Sequence, residues 1–131
     1  MDMKITFPGG KKVDATYKGF TIRTDQPVSA GGEGSALEPF SYFLVSLGTC
    51  AGYYTLSFCQ QRNISTNGIQ LILRTEKNEV THMINTVHIE IQVPNSFPEK
   101  YNTALIKATE ACAVKKHLET PPKIHTIIKK A

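Results

Sequence analysis

The chain begins with alternation. Met3, Ile5 and Phe7 fall on one side of Lys4 and Thr6, the two-residue period of a β-strand, and Pro8-Gly9-Gly10 then predicts a turn. Two further short strands are expected over 12–17 and 20–24, split by Lys18-Gly19, so the N-terminus reads as a small meander. From Asp25 to Leu37 the chain is rich in Gly and Ser and is expected to be loop. The period then changes. Apolar residues at 40, 43, 44, 47, 51, 54 and 58 follow the helical repeat, and Pro39 suits a first turn, which predicts a long helix over roughly 39–62. No charged residue occurs between Phe40 and Cys59, so this helix has no polar face and is expected to be buried all round, the spine of the fold.

Strand patterns return at 69–75 and at 87–93, where Val87, Ile89, Ile91 and Val93 alternate with His88, Glu90 and Gln92. A second helix is expected to start near Asn95–Glu99, with Ser96 as N-cap and Pro98 in the first turn. It would carry Leu105, Ala108 and Cys112 on one stripe. Pro121-Pro122 ends any helical continuation, and Ile124–Ile128 has the pattern of a last strand. The order predicts an α+β fold, with helices packed on antiparallel sheet, in one domain over residues 1–131.

At this length a chain buries roughly two-thirds of its unfolded surface and folds without covalent staples. The composition, 40% hydrophobic and 20% charged, is that of a globular protein and not of a disordered one. The net charge of +4 is spread over separated lysines with no basic run interleaved with aromatics, so no nucleic-acid partner is expected. No apolar run is long enough to span a membrane and no signal peptide opens the chain; with three cysteines, an odd number, this predicts reduced thiols in a cytoplasm.

Each cysteine has a bland reading as buried filler. For Cys50 that reading is weakened by Gly48 and Gly52, each of which costs a helix about 1 kcal/mol relative to Ala and implies a packing or access requirement beside the thiol. Cys59, nine residues further on, falls on the opposite side of the helix, since each residue turns it by about 100°. Cys112 alone would be assigned to the core. There is no CxxC or HxxxH pair, and His82, His88, His117 and His125 are scattered, so no metal site is expected; spacing alone leaves open a Cys–His pair with His117.

Two segments taken together go further. Pro39-Phe40-Ser41-Tyr42-Phe43-Leu44-Val45-Ser46-Leu47-Gly48-Thr49-Cys50 resembles the helix-opening motif of the OsmC/Ohr family (osmotically induced protein C, organic hydroperoxide resistance), in which a Pro precedes the reactive Cys by eleven residues. Cys112-Ala113-Val114-Lys115-Lys116-His117-Leu118 is similar to the family's second motif, Cys-Pro-Val-x-x-x-Leu, with Ala113 in place of the Pro. Gly31-Gly32 ahead of the helix fits as well, and the similarity runs from about residue 9 to the C-terminus.

The resemblance implies an intertwined homodimer, with the long helix buried between curved antiparallel sheets. It implies a thiol-dependent peroxidase of organic hydroperoxides, with Cys50 as reactive thiol, Cys112 as its disulfide partner, no bound cofactor and an external dithiol reductant. Where better-characterised members pair a Glu after the Pro with an Arg after a Gly-Gly, this chain has Phe40 and, after Gly9-Gly10, Lys11. The chain therefore stands nearer the less-characterised OsmC-like members. Lys11 becomes the candidate cation beside the thiolate, and Arg23 the alternative. The other readings are a non-enzymatic or redox-sensing thiol protein that binds a small hydrophobic molecule on the same fold, and a purely structural dimer module.

Overall fold

A computed structural model describes residues 2–130. The chain divides into two compact units, one reaching to Val45 and one beginning at Ser46.

The first unit opens with an antiparallel meander of β1 (Lys4–Gly9), β2 (Lys12–Tyr17) and β3 (Phe20–Thr24), in the order β1-β2-β3. The first turn lies one residue later than the sequence predicts. β1 runs through Pro8 to Gly9, and the chain reverses at Gly10-Lys11; Pro8 is tolerated because β1 is an edge strand whose register slips between Thr6 and Gly9. The β2–β3 connection is Lys18-Gly19, both at positive φ (51° and 81°), the two-residue turn whose twist matches the flanking strands. Ile5 pairs with Ala15 and Ala15 with Ile22, so these apolar residues share one face, and Ile5 and Ile22 are exposed.

The loop that follows contains one 3-10 turn, Val28–Ala30, and is organised by a carboxylate. Asp25 is 1% exposed. Its Oδ1 accepts the N–H of Gln26 at 2.7 Å, while Oδ2 accepts the Ser35 hydroxyl at 2.6 Å, the Ser35 N–H at 3.1 Å and the Glu33 N–H at 3.3 Å. The Ser35 hydroxyl, with these amides, holds the Asp25 carboxyl down at about 2. Gly32 is required where the loop folds back, because a Cβ there would lie 2.0 Å from the Gln26 carbonyl oxygen.

Helix α1 spans Pro39–Gln61, as predicted to within a residue. Glu38 caps its start: its carbonyl accepts the Ser41 N–H and its carboxylate the Ser41 hydroxyl, at 3.0 and 2.7 Å. Asn63, at φ 55°, closes the other end in the left-handed conformation. Burial departs from the expectation. Within the chain only the stripe of Leu47, Ala51, Thr55, Phe58 and Cys59 is buried, while Val45, Tyr53 and Leu56 are exposed. An apolar circumference needs cover on every side, and one chain covers one stripe.

The second unit adds the antiparallel hairpin of β4 (Gln70–Lys77) and β5 (Ile84–Gln92). Leu71–Ile91, Leu73–Ile89 and Thr75–Val87 pair on one face. On the other, Arg74 and Glu90 form an ion pair at 2.8 Å, and His88 Nε2 is hydrogen-bonded to Glu76 at 2.8 Å. The predicted second helix begins later than expected. Ser96 is not its N-cap; it lies in a turn closed by Phe97 N–H to Pro94 O, which delivers Phe97 into the core. A 3-10 turn at Glu99–Tyr101 leads into α2 (Asn102–Thr109). Phe58, Cys59, Phe97 and Leu105 form the core cluster, with the Arg62 guanidinium 3.6 Å above the Phe58 ring.

Cys112 does not end α2. The helix stops at Thr109, and Cys112, with non-helical backbone (φ −51°, ψ 127°), precedes a separate helix α3 (Ala113–Glu119). The final strand predicted at Ile124–Ile128 is not formed: these residues have strand propensity, but a strand is a pair, and among the described residues none pairs with them.

Candidate active site

Within the second unit, Cys50 on α1 and Cys112 at the head of α3 are brought together. All three cysteines are free thiols. Cys50 is half-buried and Cys112 is 3% exposed. Breaking the α2 helix at Thr109 makes this possible, because a continuous helix would have carried Cys112 along the α2 axis instead of turning it, and the first turn of α3 behind it, toward α1.

The surroundings favour charge on one sulfur and a proton on the other. The Cys50 thiol is held below its ordinary range by the backbone N–H of Val114 first, then by the Cys112 side chain, with the Ala113 N–H adding to both and burial opposing them. Cys112 moves the other way, raised by burial and by its hydrogen bond with Cys50. Of the two thiols, Cys50 is therefore the one that ionises first, and Cys112 keeps its proton and can donate to it. Each donor to Cys50 thus comes from the Cys112-Ala113-Val114 segment. The two N–H groups escape a reading of side chains; the only signal of them in the sequence is Ala113, which retains an N–H where the family motif has Pro.

Cys59 takes no part. It is fully buried in the core cluster, and burial raises its thiol. His117 donates from Nδ1 to the Ala113 carbonyl at 2.6 Å, within α3. Of the two glycines flanking Cys50, a Cβ at Gly48 would make only an ordinary contact with Leu73, at 3.7 Å, and at Gly52 it would meet open space, so neither is demanded by close packing within the chain. Lys11 and Arg23 lie in the first unit: Lys11 in the β1–β2 turn with its stem against Gly31, and Arg23 on β3, its carbonyl accepting the Tyr42 hydroxyl at 2.8 Å. Among the described residues no three His, Cys, Asp or Glu side chains cluster as a metal site would require. Among the described residues no helix is long and apolar enough to cross a membrane.

Beside Cys112 opens a cavity of about 500 Å³, walled by Leu47, Ile89, Ile106 and Leu118, with Glu110 and Lys115 as its charged members. A concave apolar site with few polar groups suits a small apolar ligand. The sequence had placed Ile89 on the alternating strand at 87–93, and the structure puts it in the cavity wall with Ile106 of α2 and Leu118 of α3.

The model of the family described as OsmC-like protein matches residues 32–127, a span that includes both motif cysteines. The chain belongs to the OsmC family. Solved structures share the fold at low identity. A Psychrobacter arcticus protein, provisionally named an osmotic stress induced and detoxification response protein, matches with a TM-score of 0.73 at 22% identity, over 87% of this chain and 85% of its own. An OsmC like protein from Mycoplasma pneumoniae matches with a TM-score of 0.67 at 17% identity, over 92% and 87%. An organic hydroperoxide resistance protein OsmC from Legionella pneumophila, described as a predicted redox protein and regulator of sulfide bond formation, matches with a TM-score of 0.57 at 15% identity, over 90% and 89%. No curated protein matches the sequence.

Proposed function

We propose that this OsmC-family chain is a thiol-dependent peroxidase of organic hydroperoxides. One observation carries the reading: Cys50, its thiol lowered, shares a hydrogen bond with Cys112, and Cys112 lines an apolar cavity. The Cys50 thiolate attacks the distal oxygen of ROOH; the O–O bond breaks, ROH leaves with a proton, and Cys50 becomes a sulfenic acid. The Cys112 thiol then displaces water from that sulfur, forming a Cys50–Cys112 disulfide. An external dithiol takes up the disulfide by exchange and is itself oxidised, returning both thiols. The description of the Legionella relative as a redox protein agrees with this class of chemistry. Consumption of cumene hydroperoxide under a dithiol reductant, abolished in Cys50→Ser, tests it.

A homodimer belongs to the proposal. The exposed apolar face of the β1–β3 meander and the uncovered side of α1 both call for a second copy. Lys11, or Arg23 in its place, would add positive charge beside the thiolate, and three cysteines, an odd number, suit reduced thiols in a cytoplasm. The same cavity also supports the alternative of a redox-sensing thiol protein that binds a small apolar molecule without turning it over.

A further inference from the structure

Two hydroxyls lie between the thiol-bearing segments. Thr55 is 2% exposed and Thr109 7%. Their Oγ1 atoms are 3.0 Å apart, and the Thr55 hydroxyl is 3.2 Å from the carbonyl oxygen of Ala51. A carbonyl only accepts, so the Thr55 proton goes to Ala51; Thr109 must then be the donor of the Thr55–Thr109 bond. The result is a directed chain from the last residue of α2 through Thr55 to the carbonyl of the residue after Cys50. Thr109 stands three residues before Cys112, where the chain leaves the α2 helix: Glu110 N–H still reaches Ile106 O at 3.0 Å, and Ala111 N–H bonds Ala108 O at 3.2 Å.

We propose that Thr109 is a positioning residue for the disulfide-forming step, its hydroxyl fixing the break after α2 to the turn of α1 that carries Cys50 and so holding the Cys112 thiol in line with it. Apolar contact alone would leave that end of α2 free to slide along the stripe, because apolar contact is not directional. A buried hydroxyl that must find its partner permits one register. The first turn of α3 follows Cys112, so the same bond sets the Ala113 and Val114 N–H groups.

Thr109→Val is the clean variant. It keeps the shape of the side chain and leaves Thr55 bonded to Ala51, so no buried donor is orphaned and stability should be nearly unchanged. The proposal rests on the thiol chemistry above only for its second step, and the test avoids hydroperoxide altogether. Diamide, which takes two electrons and two protons from a pair of thiols, is used to form the Cys50–Cys112 disulfide in the full chain. Thr109→Val should slow that closure by about tenfold or more, as misplacement of a reacting group does. It should also move the alkylation profile of Cys50 to higher pH, and Thr109→Ser should restore both. Wild-type closure and an unmoved profile in Thr109→Val would overturn the proposal, as would Thr109→Ser behaving like Thr109→Val. Failure of the peroxidase reading would show separately, as normal diamide closure without hydroperoxide turnover.

Discussion

The Cys112 thiol donates to Cys50, and the two sulfurs titrate in opposite directions, Cys50 downward under the Val114 and Ala113 N–H groups and Cys112 upward under burial. On the proposed mechanism the sulfur that ionises first would attack and the one that keeps its proton would resolve. Mild oxidation followed by peptide mapping should therefore give a 50–112 link, with Cys59 alkylated only after unfolding. A dominant link from Cys50 to Cys59 would contradict the geometry.

The Ala113 N–H offers a separate handle. Ala113 is the first residue of α3, a position where Pro fits a helix without clash. Ala113→Pro should leave the fold intact while removing one donor to the thiolate. Alkylation of Cys50 at neutral pH should slow several-fold and its profile shift to higher pH. Unchanged alkylation would mean that the Ala113 N–H contributes nothing to the thiolate.

The sequence was most legible where one periodicity ran unbroken. The ends of β2, β3 and α1 follow from the turn Lys18-Gly19, from Pro39 and from the polar run after Cys59. It was least legible where tertiary contacts override spacing. Leu105, Ala108 and Cys112 keep helical spacing, yet the helix breaks at Thr109, whose hydroxyl is bonded to Thr55. Ser96 has a capping side chain, but burial of Phe97 decides the turn instead. Ile124–Ile128 has strand composition without a strand beside it, and pairing is what makes a strand.

Asp25 makes the loop before α1 sensitive to acid. Its carboxyl titrates at about 2 in the folded chain against an ordinary 3.8, so its contribution is complete above the ordinary value and is lost as pH falls through about 2. Asp25→Asn should destabilise the chain near neutral pH, and its denaturation midpoint should converge on that of the wild type as pH drops toward 2. Midpoints separated by a constant amount across that range would rule out the carboxylate as the organising group.

Charge from the first unit is tested by Lys11→Met. If Lys11 supplies a cation to the thiolate, the variant should slow Cys50 alkylation at neutral pH while thermal stability barely moves, because a turn lysine carries little packing. The same measurement on Arg23→Met examines the alternative; identical rates in both variants and wild type would leave the thiolate to the donors of the Cys112-Ala113-Val114 segment.

Turnover is the most direct measurement. Under a dithiol reductant in excess, the wild-type chain should consume cumene hydroperoxide catalytically and faster than hydrogen peroxide, since the cavity beside Cys112 is apolar; Cys50→Ser should be inactive, and Cys112→Ser, treated with one equivalent of hydroperoxide without the dithiol, should stop at the Cys50 sulfenic acid. Consumption of cumene hydroperoxide by the wild type no faster than by Cys50→Ser would contradict the account.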